Sequence, residues 1–409
     1  MRASVVGTVA LCLFQPLTFS QASDGTLKTL YERHRWFALR DAAAGGDAPA
    51  FYRAALEAAF DEMQPAEKDL GNVIIQSPAS GDAYEAHQLL ATMYFRHGLY
   101  RKALEQLLAM SSEKPEAKDV QNEMPFFSAL GKVDQSTMHL SPSTLQMRHE
   151  DGNLYLQVEI NGKKALYAFD TGANFSVISE SEASRLGLAV MSVNTSIGDS
   201  SGNHVGIRVA VAKSLRVGGL YLRNVAFGVL PDAQPPFNEL AEEKRGLLGI
   251  PILLAMHTVH WSNDGTFTLG HRCGRFHLQT ANLAFEQSFP VTHANFQGAG
   301  IDMTVDSGAQ KTVLGPPFAS SFSDVLKSIG KSETHKLTGV AGSASYESIL
   351  LPSIDLQIGA HTVTLTNAHV LTKESSDTSN WADGNLGIDL LNQASSVTFD
   401  FGAMTLTLQ

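Results

Sequence analysis

Two short stretches hold the residues best suited to chemistry: Phe169-Asp170-Thr171-Gly172-Ala173 and Val305-Asp306-Ser307-Gly308-Ala309. Each sets an aspartate behind an apolar run and ahead of a hydroxyl residue, a glycine and an alanine. Two carboxylates at short range cannot both ionise cheaply, so one keeps a proton while its neighbour serves as a base. Such a pair can deprotonate a water and protonate an acceptor without a metal or a covalent nucleophile. A single copy would carry little weight. Two copies in matching surroundings ask for two equivalent loops that face each other.

The elements around these loops repeat as well. Asp170-Thr-Gly-Ala-Asn-Phe-Ser176 aligns with Asp306-Ser-Gly-Ala-Gln-Lys-Thr312, and Gly246-Leu247-Leu248-Gly249 with Gly384-Asn385-Leu386-Gly387. Gly249 follows Asp170 by 79 residues and Gly387 follows Asp306 by 81. Between these landmarks, 217–230 matches 358–371, and each copy closes on a strand pair at 258–269 and 396–408. Alternation at Leu154 to Ile160, a tight turn at Asn161-Gly162 and a return over Ala165 to Phe169 read as a hairpin. The same texture runs to the C-terminus, so the chain from about 134 is mainly β. It divides into lobes 134–275 and 276–409 about an approximate two-fold axis.

This arrangement resembles the aspartic proteases, and their retropepsin-like branch in particular. The resemblance rests on Asp-Thr/Ser-Gly-Ala, on Ser176 or Thr312 six residues after each aspartate, and on the apolar pair before Gly249; Asn385 departs from that pair in the second copy. It covers about 140–409 and implies a two-lobed pepsin/retropepsin-like barrel fold with Asp170 and Asp306 as the catalytic dyad. It further implies that Thr171 and Ser307 brace the loops against each other, that Gly172 and Gly308 let them approach, and that Ser176 and Thr312 support them from within. Gly198 and Gly202, and Gly339 and Gly342, mark Gly-rich stretches similar to flaps that close over substrate. The implied activity is endopeptidase hydrolysis of a peptide or protein substrate, with no cofactor and no metal. The alternative is a peptide-binding or scaffold protein that kept the fold without turnover.

The rest of the sequence sets bounds. A formal charge of -11 with no basic block argues against a nucleic-acid partner. Residues 1–22 read as an export signal, with Arg2, an apolar run from Val5 to Phe14 and small residues at Ser20-Gln21-Ala22. The expectation is a secreted or periplasmic monomer, free of the membrane after cleavage. Of the two cysteines, Cys12 and Cys273, the mature chain would keep Cys273 alone, so no internal disulfide is expected. His257, His260 and His271 lie on a β-patterned segment without the helical spacing of a zinc site.

Residues 26 to about 120 read as helical, punctuated at Gly45-Gly46, Pro65, Gly71 and Ser77-Pro78. Leu90, Ala91, Tyr94, Ala103, Leu107 and Pro115, with a turn at Gly98-Leu99-Tyr100, resemble one tetratricopeptide helix pair. Region 23–133 is thus either a platform for a protein partner or a helical prefix packed on the main body.

Overall fold

The structure is a computed structural model and describes residues 24–150, 152–198, 202–235, 237–339, 341–373 and 381–409. The expected export signal lies outside the described residues, as do 199–201 and 340 of the two Gly-rich stretches.

Helices fill the chain from Asp24 to Leu130, and every strand among the described residues follows them. Leu90, Ala91 and Tyr94 of helix Gly81–Arg96 are buried, as are Ala103 and Leu107 of helix Tyr100–Glu113. The 3.6-residue spacing of these side chains makes one apolar stripe per helix, and burying the stripes against each other pairs the helices. Two boundaries differ from the sequence reading. Helix Met63–Gln76 runs through both Pro65 and Gly71. Pro65 stands in the first turn, where an N–H has no helical acceptor to lose. The break falls instead at Asp61, whose φ is 58°; its carboxylate meets Arg96 Nε at 2.8 Å and His97 Nε2 at 2.9 Å. Helix Lys118–Leu130 extends the helical region past 120 despite Pro125. Packing of Phe126, Phe127 and Leu130 against neighbouring cores overrides the weak local signal.

From Ser136 onward the chain is mainly β. In its first half, strands Leu220–Leu230, Val177–Ser179, Gly246–Leu248, Lys163–Phe169, Asn153–Ile160 and His204–Val217 lie side by side, and the last pairs back with the first. In its second half, strands His361–Leu371, Val313–Leu314, Gly384–Leu386, Ala299–Val305, Phe289–Phe296 and Gly342–Ile358 repeat that order and the same return. The Asn161-Gly162 turn is present, pairing Ile160 with Lys163.

A third, five-stranded sheet joins the halves. Thr258–Ser262 pairs antiparallel with Ser396–Asp400, so the closing strand pairs of the two copies become neighbours. The sequence showed each pair but not their union. Trp261, Phe267 and Phe399 of this sheet and Phe169 of the first half are nearly inaccessible; Trp261 stacks on Phe399, and Phe169 meets Trp261 and Phe267 edge-on. His260 lies within it, its Nδ1 2.8 Å from Thr398 Oγ1.

The helical region is bound to both halves. Phe95, Tyr100 and Phe126 surround Phe175 of the first. Arg35 forms an ion pair with buried Asp383 of the second, with Nη2 3.1 Å from Oδ1. Trp36 Nε1 donates to Glu286 at 2.9 Å, and Arg96 Nη1 to the Gln287 carbonyl at 3.1 Å.

Candidate active site

Each aspartate sits where a buried strand ends. Lys163–Phe169 runs parallel to Gly246–Leu248, with Ala168 opposite Leu247; Ala299–Val305 runs parallel to Gly384–Leu386, with Thr304 opposite Asn385. The ladder continues one step past the strand, because Asp170 N donates to Leu248 O at 3.1 Å and Asp306 N to Leu386 O at 2.9 Å. The chain then turns, and the second glycine motif holds the turn. Ile250 N donates to Ala173 O at 2.9 Å and Ile388 N to Ala309 O at 2.8 Å. Ser176 Oγ accepts from Gly249 N, and Thr312 Oγ1 from Gly387 N, both at 2.9 Å. Each hydroxyl thus ties its aspartate loop to the backbone of the second glycine motif.

Across the seam the loops interlock. Thr171 Oγ1 donates to Val305 O at 2.8 Å and accepts from Ser307 N at 2.9 Å. Ser307 Oγ donates to Phe169 O at 3.0 Å and accepts from Thr171 N at 3.1 Å. Both hydroxyl residues are fully buried, so each bond is made in a low-dielectric setting where leaving one unmade is costly. Gly172 and Gly308 permit the approach by lacking bulk. A Cβ at Gly172 would collide with the Asp306 carboxyl, and one at Gly308 would lie 2.6 Å from Asp170 Cγ.

The carboxyls consequently meet. Asp170 Oδ1 accepts from Gly172 N at 2.9 Å; Asp306 Oδ1 accepts from Gly308 N and Ala309 N, each at 2.9 Å. The two carboxyls face each other across the seam, and Asp170 is held well above the usual carboxylate range, first by burial and then by the Asp306 charge. This is the arrangement in which one proton is shared by two carboxyls.

Residues 156–252 match the family model for aspartyl proteases. That segment contains Asp170 and ends before Asp306, so the second aspartate enters through the repeated strand order and the interlocked loops. A search of curated proteins finds no match to the chain.

The Gly-rich stretches end two hairpins. Gly198 closes strand Val190–Gly198, Gly202 precedes His204–Val217, and Gly339 pairs with Gly342. The hairpin ends come together: a Cβ at Gly342 would lie 3.3 Å from Asn203 Nδ2, and Ala341 packs beside the cluster of Val205, Ile207 and Phe237. Tyr346 faces His335 within the second hairpin.

Four contacts of the site escaped the sequence reading. Asn385, read there as a weakened match, donates from Nδ2 to Asp306 Oδ2 at 3.1 Å, and Thr304 Oγ1 donates to Asn385 Oδ1 at 2.7 Å. Asp389 Oδ1 accepts from both the backbone N and Oγ1 of Thr312, each at 2.8 Å. Phe175 roots the Asp170 loop in the helical region. A line-by-line comparison of the two copies held the signal: paired positions 168 and 247 are apolar, whereas 304 and 385 are polar. Cys273 stands apart from the dyad, its thiol pushed up to about 11 by burial and by Asp400.

Proposed function

We propose that the protein is an aspartic-type endopeptidase of retropepsin-like form, with both loops supplied by one chain. One observation carries the reading: two aspartates facing each other, at the ends of matching buried strands, in loops tied by reciprocal hydroxyl–backbone bonds. The closed strand paths of the two halves then read as two barrels, and the hairpins meeting at Asn203 and Gly342 as flaps over an extended peptide.

In the proposed reaction the ionised carboxylate takes a proton from water as the water oxygen attacks the peptide carbonyl carbon. The protonated carboxyl gives its proton to the carbonyl oxygen, producing a tetrahedral diol. The C–N bond then breaks as the amine nitrogen gains a proton from the dyad and a diol hydroxyl returns one, leaving a carboxyl and an amine. Burial of Thr171 and Ser307 keeps the carboxyls registered throughout, so positioning is built in before substrate arrives.

Asp170→Asn and Asp306→Asn test the assignment. Each removes one partner of the proton exchange while keeping side-chain size. Digestion of a peptide library between about pH 3 and pH 7 is expected to fall by about 10²–10⁴-fold or more in either variant. Cleavage at the wild-type rate by either one overturns the reading.

A further inference from the structure

The two aspartates share a backbone path but not an environment. Asp170 ends a strand whose neighbouring pair is Ala168 and Leu247, neither of which can donate from its side chain. Asp306 ends a strand whose equivalent pair is Thr304 and Asn385. Thr304, buried at 6% exposure, gives its hydroxyl proton to Asn385 Oδ1 at 2.7 Å, and the Gly384 carbonyl lies 3.3 Å from the Thr304 Oγ1. With its oxygen so engaged, the Asn385 amide presents N–H to Asp306 Oδ2 at 3.1 Å. The oxygens of Asp306 thus face Gly308 N, Ala309 N and the Asn385 amide. A carboxyl whose oxygens meet donors on both sides is held best as the anion.

We propose that Asn385 is a positioning residue of the dyad: oriented by Thr304, its amide fixes the negative charge on Asp306 and so leaves the shared proton on Asp170. This rests on the peptidase reading above and deepens it. In the attacking complex Asp306 would be the base toward water and Asp170 the acid toward the carbonyl oxygen. Asp170, on the facing loop, is the titratable group in contact with Asp306. Asp389 and Lys311 lie at Thr312 in the Asp306 loop, 3.9 Å from each other.

The experiment installs the first half's residue, Asn385→Leu, with Thr304→Val as a milder variant that keeps side-chain volume and releases the amide. Aspartate labelled at the carboxyl carbon is followed by NMR across pH, with the Asp306 signal assigned through Asp306→Asn. Loss of a donor to the dyad monoanion makes its formation harder, so the first deprotonation of the pair moves to higher pH. The shift expected is on the order of one pH unit in Asn385→Leu and less in Thr304→Val. In the wild type, the carbon that moves in this first step is that of Asp306. Peptide hydrolysis then loses about tenfold in kcat/KM on the acid limb, through kcat, with KM held. An unchanged first step in both variants, or a first step belonging to Asp170, overturns the proposal. If Asn385→Leu does not fold, the Thr304→Val titration decides. A shifted titration in a wild type that cleaves nothing rejects the peptidase reading and leaves the charge assignment standing. Normal cleavage with an unshifted titration does the reverse.

Discussion

The loop carrying Asp170 is braced by hydrocarbon, and the loop carrying Asp306 by polar groups. Five residues after the aspartate the first copy has Phe175, buried among Tyr100, Leu130, Val209 and Ala226; the second has Lys311, 73% exposed. Two residues after the second glycine motif the first copy has Pro251, whose carbonyl accepts from Gln135 Nε2 at 2.7 Å; the second has Asp389, bonded to Thr312. The helical region holds the two halves through both kinds of contact, with aromatic rings around Phe175 of the first, and with apolar packing plus Arg35, Trp36 and Arg96 bonded to carboxylates and a carbonyl on the second. One backbone geometry can therefore be held by two kinds of force. Apolar support is insensitive to salt and tolerant of direction, whereas polar support is directional and sets charge.

The largest effect expected on this comparison is at the charged attachment. Arg35→Ala leaves Asp383 and Asp302, 3% and 5% exposed, without their guanidinium. Removing one partner of a buried ion pair costs about 3–5 kcal/mol, because the remaining charge stays desolvated. Urea denaturation measures this, and a loss under about 1 kcal/mol would mean that the second half does not depend on the helical region for charge balance. Next comes the apolar attachment. Phe175→Ala empties a site bounded by Phe95 at 5.5 Å and Phe126 at 5.1 Å between ring centroids. A cost of about 3 kcal/mol is expected, since such a cavity collapses only partly.

How much of this could be read in the chain depends on the range of the interaction. The Asp loops and the Asn161-Gly162 hairpin follow from local spacing, and the internal repeat supplied the second copy where the aspartyl protease match stops at residue 252. The 3.6-residue spacing over 90–107 is likewise local, and Leu90, Ala91, Tyr94, Ala103 and Leu107 are buried in one apolar cluster of two successive helices. Helix ends were less legible. Asp61 breaks the helix because Arg96 and His97, more than thirty residues on, hold its carboxylate, and no local rule sees that. The shared sheet and the Arg35 ion pair join residues more than a hundred positions apart and leave no periodic trace. Asn385 is the instructive case. It broke a pattern of apolar residues, and the pattern alone could report only a departure; the meaning came from its neighbour across the strand, Thr304, and from the carboxylate both of them face.

The smallest effect tests the polar brace within the Asp306 loop itself. Asp389→Ala removes an acceptor shared by the backbone N and the hydroxyl of buried Thr312, while the bond from Gly387 N to Thr312 remains. A buried N–H left without a partner costs about 1–3 kcal/mol, and here water can reach the gap, because the Asp389 side chain is 25% exposed. About 1 kcal/mol is therefore expected in denaturation, together with faster hydrogen exchange at the Thr312 amide. Lys311→Ala is the contrast. It deletes an exposed ion pair with 3.9 Å between charged atoms, which should cost under about 0.5 kcal/mol and leave that amide protected. The two variants touch the same carboxylate from opposite sides, so their difference isolates the hydrogen bonds to Thr312 from the charge of Asp389. Equal costs, or unchanged exchange at Thr312 in both, would show that the Asp306 loop is held by its backbone alone, as the Asp170 loop would be without Phe175.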